Sequence, residues 1–266
     1  MLPACSLLGA LALAAATAPA AASLDERALH LREEALALVA GDDEAGLARA
    51  AALLEEAARL EPRLHQARAD RALVELLVAA ARRDEATRLE DGAALLQSGR
   101  DLRERALDEL RPLVRANAAD ASVVRALAVY YGLDGNAAQA ARLVDQARDA
   151  GSADSWIDFA ELAARAGETS RAESVPLLAA FVASHSALVR PRMMLARALL
   201  DVGHVGEALA ALDDLLAASP DHARAKRLKE AILAPPPVQM EVRPAPMDAP
   251  PPRPPGLLPR KPPARP

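Results

Sequence analysis

The chain has 266 residues with a net charge of −5, and 52% of its residues are hydrophobic but only 2% aromatic. So few aromatic residues exclude an ordinary β-sandwich or barrel, and the abundant Ala, Leu, Arg and Glu favour helix. The acidic balance excludes a global positive field that would steer the chain to nucleic acid, and a single cysteine, Cys5, excludes an internal disulfide framework or a cysteine zinc site.

In chain order, an apolar run from Leu7 to Ala16 comes first, with no charged side chain before Asp25. It is too short to cross a bilayer, which needs ~20 residues, and it matches the apolar part of a signal peptide. Ala20 and Ala22 form a small-x-small cleavage pattern before Ser23, with Ala18 and Ala20 as a second choice. Residues 1–22 therefore predict export to a periplasmic, cell-envelope or extracellular compartment, and a mature chain without a membrane span.

From Leu24 the chain reads as helix after helix. Leu24, Ala28, Leu31, Ala35 and Leu38 recur at the spacing of one helical face, and a second apolar run follows from Leu47 to Leu60. Between them, Asp42, Asp43 and Glu44 read as a turn followed by negative charge favourable to a helix start. Further breaks fall at Asp91-Gly92, Asn117 to Asp120, Gly132 to Asn136, Gly151 to Asp154, Gly167 to Ser170, Gly203 and Ser219 to Asp221. Connections this short predict antiparallel neighbours.

The helices repeat. Ala106, Ala140, Ala172 and Ala208 align early in four similar segments at steps of 34, 32 and 36 residues. An earlier copy begins at Ala50, 56 residues before Ala106, so one unit carries an insertion near 78–100. Leu195-Ala196, Leu199, Gly203, Ala208, Leu212, Leu215 and Pro220 in the last copy match the pattern of the tetratricopeptide repeat, a helix-turn-helix unit of about 34 residues. Leu127-Ala128, Tyr131, Gly135, Ala140, Val144 and Ala147 match it again, as do Trp156, Phe159, Ala160, Gly167, Ala172 and Ala179. The chain thus resembles that family over residues ~24–222. Pro112 and Pro176 interrupt second helices, and the stretch near Arg68 to Leu77 has no clear register.

The resemblance implies an all-α, right-handed superhelical solenoid of about five antiparallel helix pairs over residues 23–233, with a capping helix at 221–233. It also implies a concave groove that binds a partner protein or peptide. The family's groove positions fall on Ser122, Arg125, Val129 and Leu133, then Asp154, Ile157, Glu161 and Arg165, then Arg190, Met193, Arg197 and Asp201. Val129 stands where family members that clamp a terminal carboxylate need Asn. Tyr131, Trp156 and Phe159 take the family's large apolar sites, and Tyr130 is left as the aromatic surface anchor.

Reactive chemistry is not legible. There is no phosphate-binding glycine loop and no nucleophile elbow, and no two of the five histidines sit four residues apart on a helix. The sequence predicts no enzyme, metal or cofactor. Residues 234–266 hold 14 of the 21 prolines and a charge of +3, which leaves the preceding residues at −8. This tail predicts a disordered, polyproline-like segment. It suits an interaction through its PxxP arrangements, attachment to an anionic envelope surface, or no binding role.

Overall fold

The computed structural model describes residues 23–87 and 92–234. The expected signal peptide lies outside the described residues, as does the Pro-rich tail beyond Ala234. The chain divides into two units, Met1–Ile232 and Leu233–Pro266, and everything below concerns the first.

Among the described residues the protein is all-α, with eleven helices and no strand. Five pairs follow one another: α1 (Leu24–Gly41) with α2 (Glu44–Leu60), α3 (His65–Ala86) with α4 (Ala93–Asn117), α5 (Ala121–Asp134) with α6 (Ala137–Asp149), α7 (Ser155–Glu168) with α8 (Arg171–Ser184), and α9 (Arg190–Asp201) with α10 (Val205–Ala218); α11 (Ala223–Leu233) closes the series. Helix starts are written in the sequence. Ser23 with Glu26 and Ser170 with Glu173 form reciprocal capping boxes, while Asp43, Asp120, Asn136 and Asp154 cap α2, α5, α6 and α7. Each cap oxygen satisfies backbone N–H groups that have no partner inside the helix. Gly135 ends α5 at φ 76, a left-handed conformation that glycine adopts without steric cost.

Ala50, Ala106, Ala140 and Ala208 are fully buried, as small residues at close helix crossings should be. Ala172 is not: it is exposed, and Ser174 takes the buried place, its hydroxyl donating 2.8 Å to the Arg171 carbonyl. With Ser174 in place of Ala172, the small residues at 106, 140, 174 and 208 are spaced 34 apart throughout. Four residues on, Leu54, Leu110, Val144, Leu178 and Leu212 are all buried, as one turn of the same face requires. An exchange of Ala for Ser keeps the volume small while hiding the position from an apolar pattern.

Pro112 and Pro176 do not end their helices but lie inside α4 and α8. Each leaves the carbonyl four residues earlier, at Asp108 and Ala172, without a helical donor, and the helix continues because its packed face holds it. Among the described residues the insertion near 78–100 builds no extra element. It lengthens both members of one pair, so that α3 has 22 residues and α4 has 25, against 14 and 13 in α5 and α6.

One continuous core runs from Ala28 through Leu178, Leu188 and Ala198, and α3, α5 and α7 pack in series along it. A second, smaller core joins Val189, Met193 and Ala196 of the α9 region to Leu212, Leu215, Ala225 and Leu228. The start of α9 returns to the first hairpin, where the Val189 N–H donates 3.1 Å to the Ala40 carbonyl.

Candidate functional site

Two buried charge clusters hold the helices whose ends form the site. In the first, Asp70 of α3 is fully buried between Arg32 of α1, whose Nε donates at 2.7 Å, and Arg125 of α5. Arg125 also donates 2.6 Å to Asp154, the N-cap of α7, and Arg32 donates 2.9 Å to Ser122. Burial alone would weaken the hold of Arg125 on its proton. The Asp70 and Asp154 carboxylates outweigh that, so its pKa is raised.

In the second cluster, Asp42 ends α1 at φ 47, the one non-glycine residue with positive φ among the described residues. Its Oδ1 accepts from Arg190 Nε at 3.1 Å and Nη2 at 2.7 Å, and its Oδ2 lies 2.7 Å from Arg224 Nη2. Arg190 also donates 2.7 Å to the Leu77 carbonyl. Burial pulls the Arg190 pKa down, which the facing Asp42 carboxylate opposes. His222 is buried beside this cluster, its Nδ1 accepting from the Ala225 N–H at 3.1 Å. Burial and then the Arg224 charge push its pKa down, against the opposing pull of Asp42 and Asp43.

Two cavities open beside the C-terminal ends of α3 and α5. The larger, of about 570 Å³, lies against the C-terminal ends of α3, α5 and α7 and the inward face of α9. Its floor includes Leu178, Met194, Ala198 and Gly132, and its walls carry Arg83, Asp84, Arg171, Arg197 and Asp201. Arg197 bonds Asp84 at 2.5 Å and Arg171 lies 3.4 Å from Asp201. The Gly132 backbone forms part of this floor because α5 crosses α7 closely: a Cβ there would sit 2.5 Å from the Ala160 carbonyl oxygen. The smaller cavity, of about 200 Å³, lies between α3, α4 and the end of α5, and shares Arg83, Leu133 and Asp134 with the first.

Of the residues expected to line a groove, Arg190 and Arg197 reach the larger cavity, Tyr130 the smaller and Leu133 both. Val129, Ile157 and Met193 are instead core residues, and Arg125 is buried in its ion network. Val129, Ile157 and Arg125 are covered because α3, α5 and α7 pack side by side and the cluster around Asp70 fills the space between them, whereas Met193 is covered by the smaller core it shares with α10 and α11. Glu161 and Arg165 line neither cavity, and Glu161 pairs with Arg148 at 2.6 Å. Ser122 and Asp154 serve the charge network, and Asp201 does reach the larger cavity.

Trp156 and Phe159 are buried edge to face at 5.5 Å, as expected of core aromatics. Both tyrosines are half-buried, and Tyr130 lines the smaller cavity. Tyr130 also packs on the core and accepts from Arg103 at 2.9 Å, whereas Tyr131 is outside the core cluster. Sequence reasoning missed Arg83, Asp84, Met194, Arg100 and Arg103, most of which lie on the lengthened α3–α4 pair where no repeat register could be read.

Among the described residues no cluster of His, Cys, Asp or Glu could hold a metal ion, and no helix is long and apolar enough to cross a membrane. The carboxyls whose pKa is pushed up are Asp25, through its contact with Glu61, and Glu75, through burial; neither lines a cavity. No known protein family, curated protein or solved structure matches the chain.

Proposed function

We propose that this chain is a non-catalytic helical-repeat scaffold of the tetratricopeptide kind. In this reading it is exported to the cell envelope and holds a segment of a partner protein where α3, α5, α7, α8 and α9 meet. The observation that carries the reading is the cavity of about 570 Å³, within the ~300–1,000 Å³ range of ligand clefts. Its apolar floor is edged by arginine–aspartate pairs that can exchange partners with a peptide's own charges and backbone. The 34-residue recurrence of buried small residues supports a stack of repeated hairpins, a right-handed solenoid in which each pair buries its apolar stripe on the next. Nucleic acid is not the partner proposed, because the residues before the tail carry −8.

A photo-crosslinking residue placed at Met194, on the cavity floor, tests the reading directly. In an envelope fraction it should form a defined protein adduct, and the same residue placed at Glu161, outside both cavities, should not. No adduct at 194, or equal adducts at both positions, would overturn the proposal. A second reading rests on the charge inversion between the acidic body and the +3 tail, which suits attachment to an anionic envelope surface. Deleting residues 235–266 should then release the protein from the envelope while adducts at 194 persist.

A further inference from the structure

We infer that the smaller cavity is an anchor pocket for one large apolar side chain flanked by carboxylates, on an acidic segment of the partner protein. The inference deepens the scaffold reading and rests on it. The pocket measures about 200 Å³ and is floored by Leu76, Ala79, Ala80, Leu96, Gly99 and Leu133. It exists because α3 and α4 meet through small residues, with a Cβ on Gly99 only 3.2 Å from the Ala79 carbonyl oxygen. An apolar cavity of ~150 Å³ accepts a benzene ring, so this one takes a leucine or phenylalanine side chain.

The rim supplies the charge argument. Arg83, Arg100 and Arg103 line the cavity, and Asp134 is the one carboxylate lining it among the described residues. Asp134 is already bound 2.8 Å from Arg103, whose guanidinium lies 5.1 Å from the centre of the Tyr130 ring. Arg83 spends both terminal nitrogens on the Leu133 carbonyl, each at 3.1 Å. Arg100, exposed one turn before Arg103, has no hydrogen-bond or ion-pair partner among the described residues. On a body of charge −8, a cationic rim around an apolar floor is a local inversion of sign. It attracts an anionic ligand and repels a cationic one. Arginine pairs carboxylates in a bidentate manner, which fixes orientation as well as charge.

The test titrates the full chain by NMR with three blocked pentapeptides: Glu-Asp-Phe-Asp-Glu, its alanine-centred analogue, and Lys-Lys-Phe-Lys-Lys. The first should shift the backbone amides of Ala79, Gly99 and Tyr130, and the other two should bind about tenfold more weakly or worse. Arg100→Glu, an exposed change that leaves the helices intact by circular dichroism, should weaken the acidic peptide about tenfold and favour the lysine peptide. Leu96→Trp, which fills the pocket, should abolish the shifts. Equal binding of the three peptides, or acidic-peptide binding that survives either variant, would overturn the inference. The two readings fail separately. An adduct at position 194 that persists undiminished in Leu96→Trp removes the anchor and leaves the scaffold. Peptide binding without any adduct at 194 removes the scaffold.

Discussion

From α1 to α8 the helices lean on one another through alanine and leucine, and Ala50 and Ala106 sit with no exposed surface in one continuous core. The three C-terminal helices bury a core of seven residues of their own, and reach the first hairpin chiefly through Asp42, Arg190 and Arg224. Apolar contacts hold across pH and ionic strength. A buried ion pair costs desolvation on forming and leaves an uncompensated charge when one partner is lost. Both regions thus combine apolar and ionic fastening, since Ala198 of α9 joins the larger core and Asp70 ties α1, α3 and α5 by charge, but the C-terminal helices depend on buried ion pairs where they meet the first hairpin.

The largest effect should come from breaking that junction. Asp42→Ala strands Arg190 and Arg224 in a buried site and should cost ~3–5 kcal/mol, read as a lower urea midpoint. Hydrogen exchange should show the amides of α9 and α11 losing protection while those of α3 and α5 keep theirs. Uniform loss would mean that the two regions unfold as one. Leu212→Ala, at the centre of the smaller core, should cost ~2–5 kcal/mol and be confined to α9–α11 by the same measurement. The smallest effect is that of pH. The folded pKa of His222 is depressed, so below its unfolded value of ~6.5 the unfolded chain binds more protons than the folded one. Stability is therefore complete above that pH and is lost as pH falls from it toward the folded value. Protonating Nδ1 also removes the acceptor of the Ala225 N–H. Exchange of the α11 amides should accelerate between pH 7.5 and 5.5, and less so in His222→Asn, which keeps an acceptor. Identical acceleration in both proteins would move the acid sensitivity to another group.

Much of the fold was legible because its signals are local. Ser23, Asp43, Asn136, Asp154 and Ser170 announce helix starts through side chains that bond within three residues. The spacing of the buried small residues was legible to within one misplaced member, since Ser174 is buried where an alanine is elsewhere. The site was far less so. The groove positions carried over from the resemblance presuppose open space along the first helices, and Arg32, Asp70 and Arg125 close that space with charge. The pocket floor sits on helices lengthened together, and although the break at Asp91-Gly92 was readable, the added residues on either side of it fall outside the period of the other hairpins. Asp42 looks like any turn acid until its partners arrive, 148 and 182 residues further along.

That separation bears on how the molecule is made. A chain that emerges from its N-terminus presents the first hairpin early, with a hydrated carboxylate at a left-handed turn and nothing to neutralise it. Its counter-charges come with α9 and α11, after nearly all the other helices have formed, and contacts so far apart in sequence close slowly. Completion of the protein is therefore registered chemically at its beginning: a nascent or truncated chain keeps that acid in water, and only the finished one draws it inside.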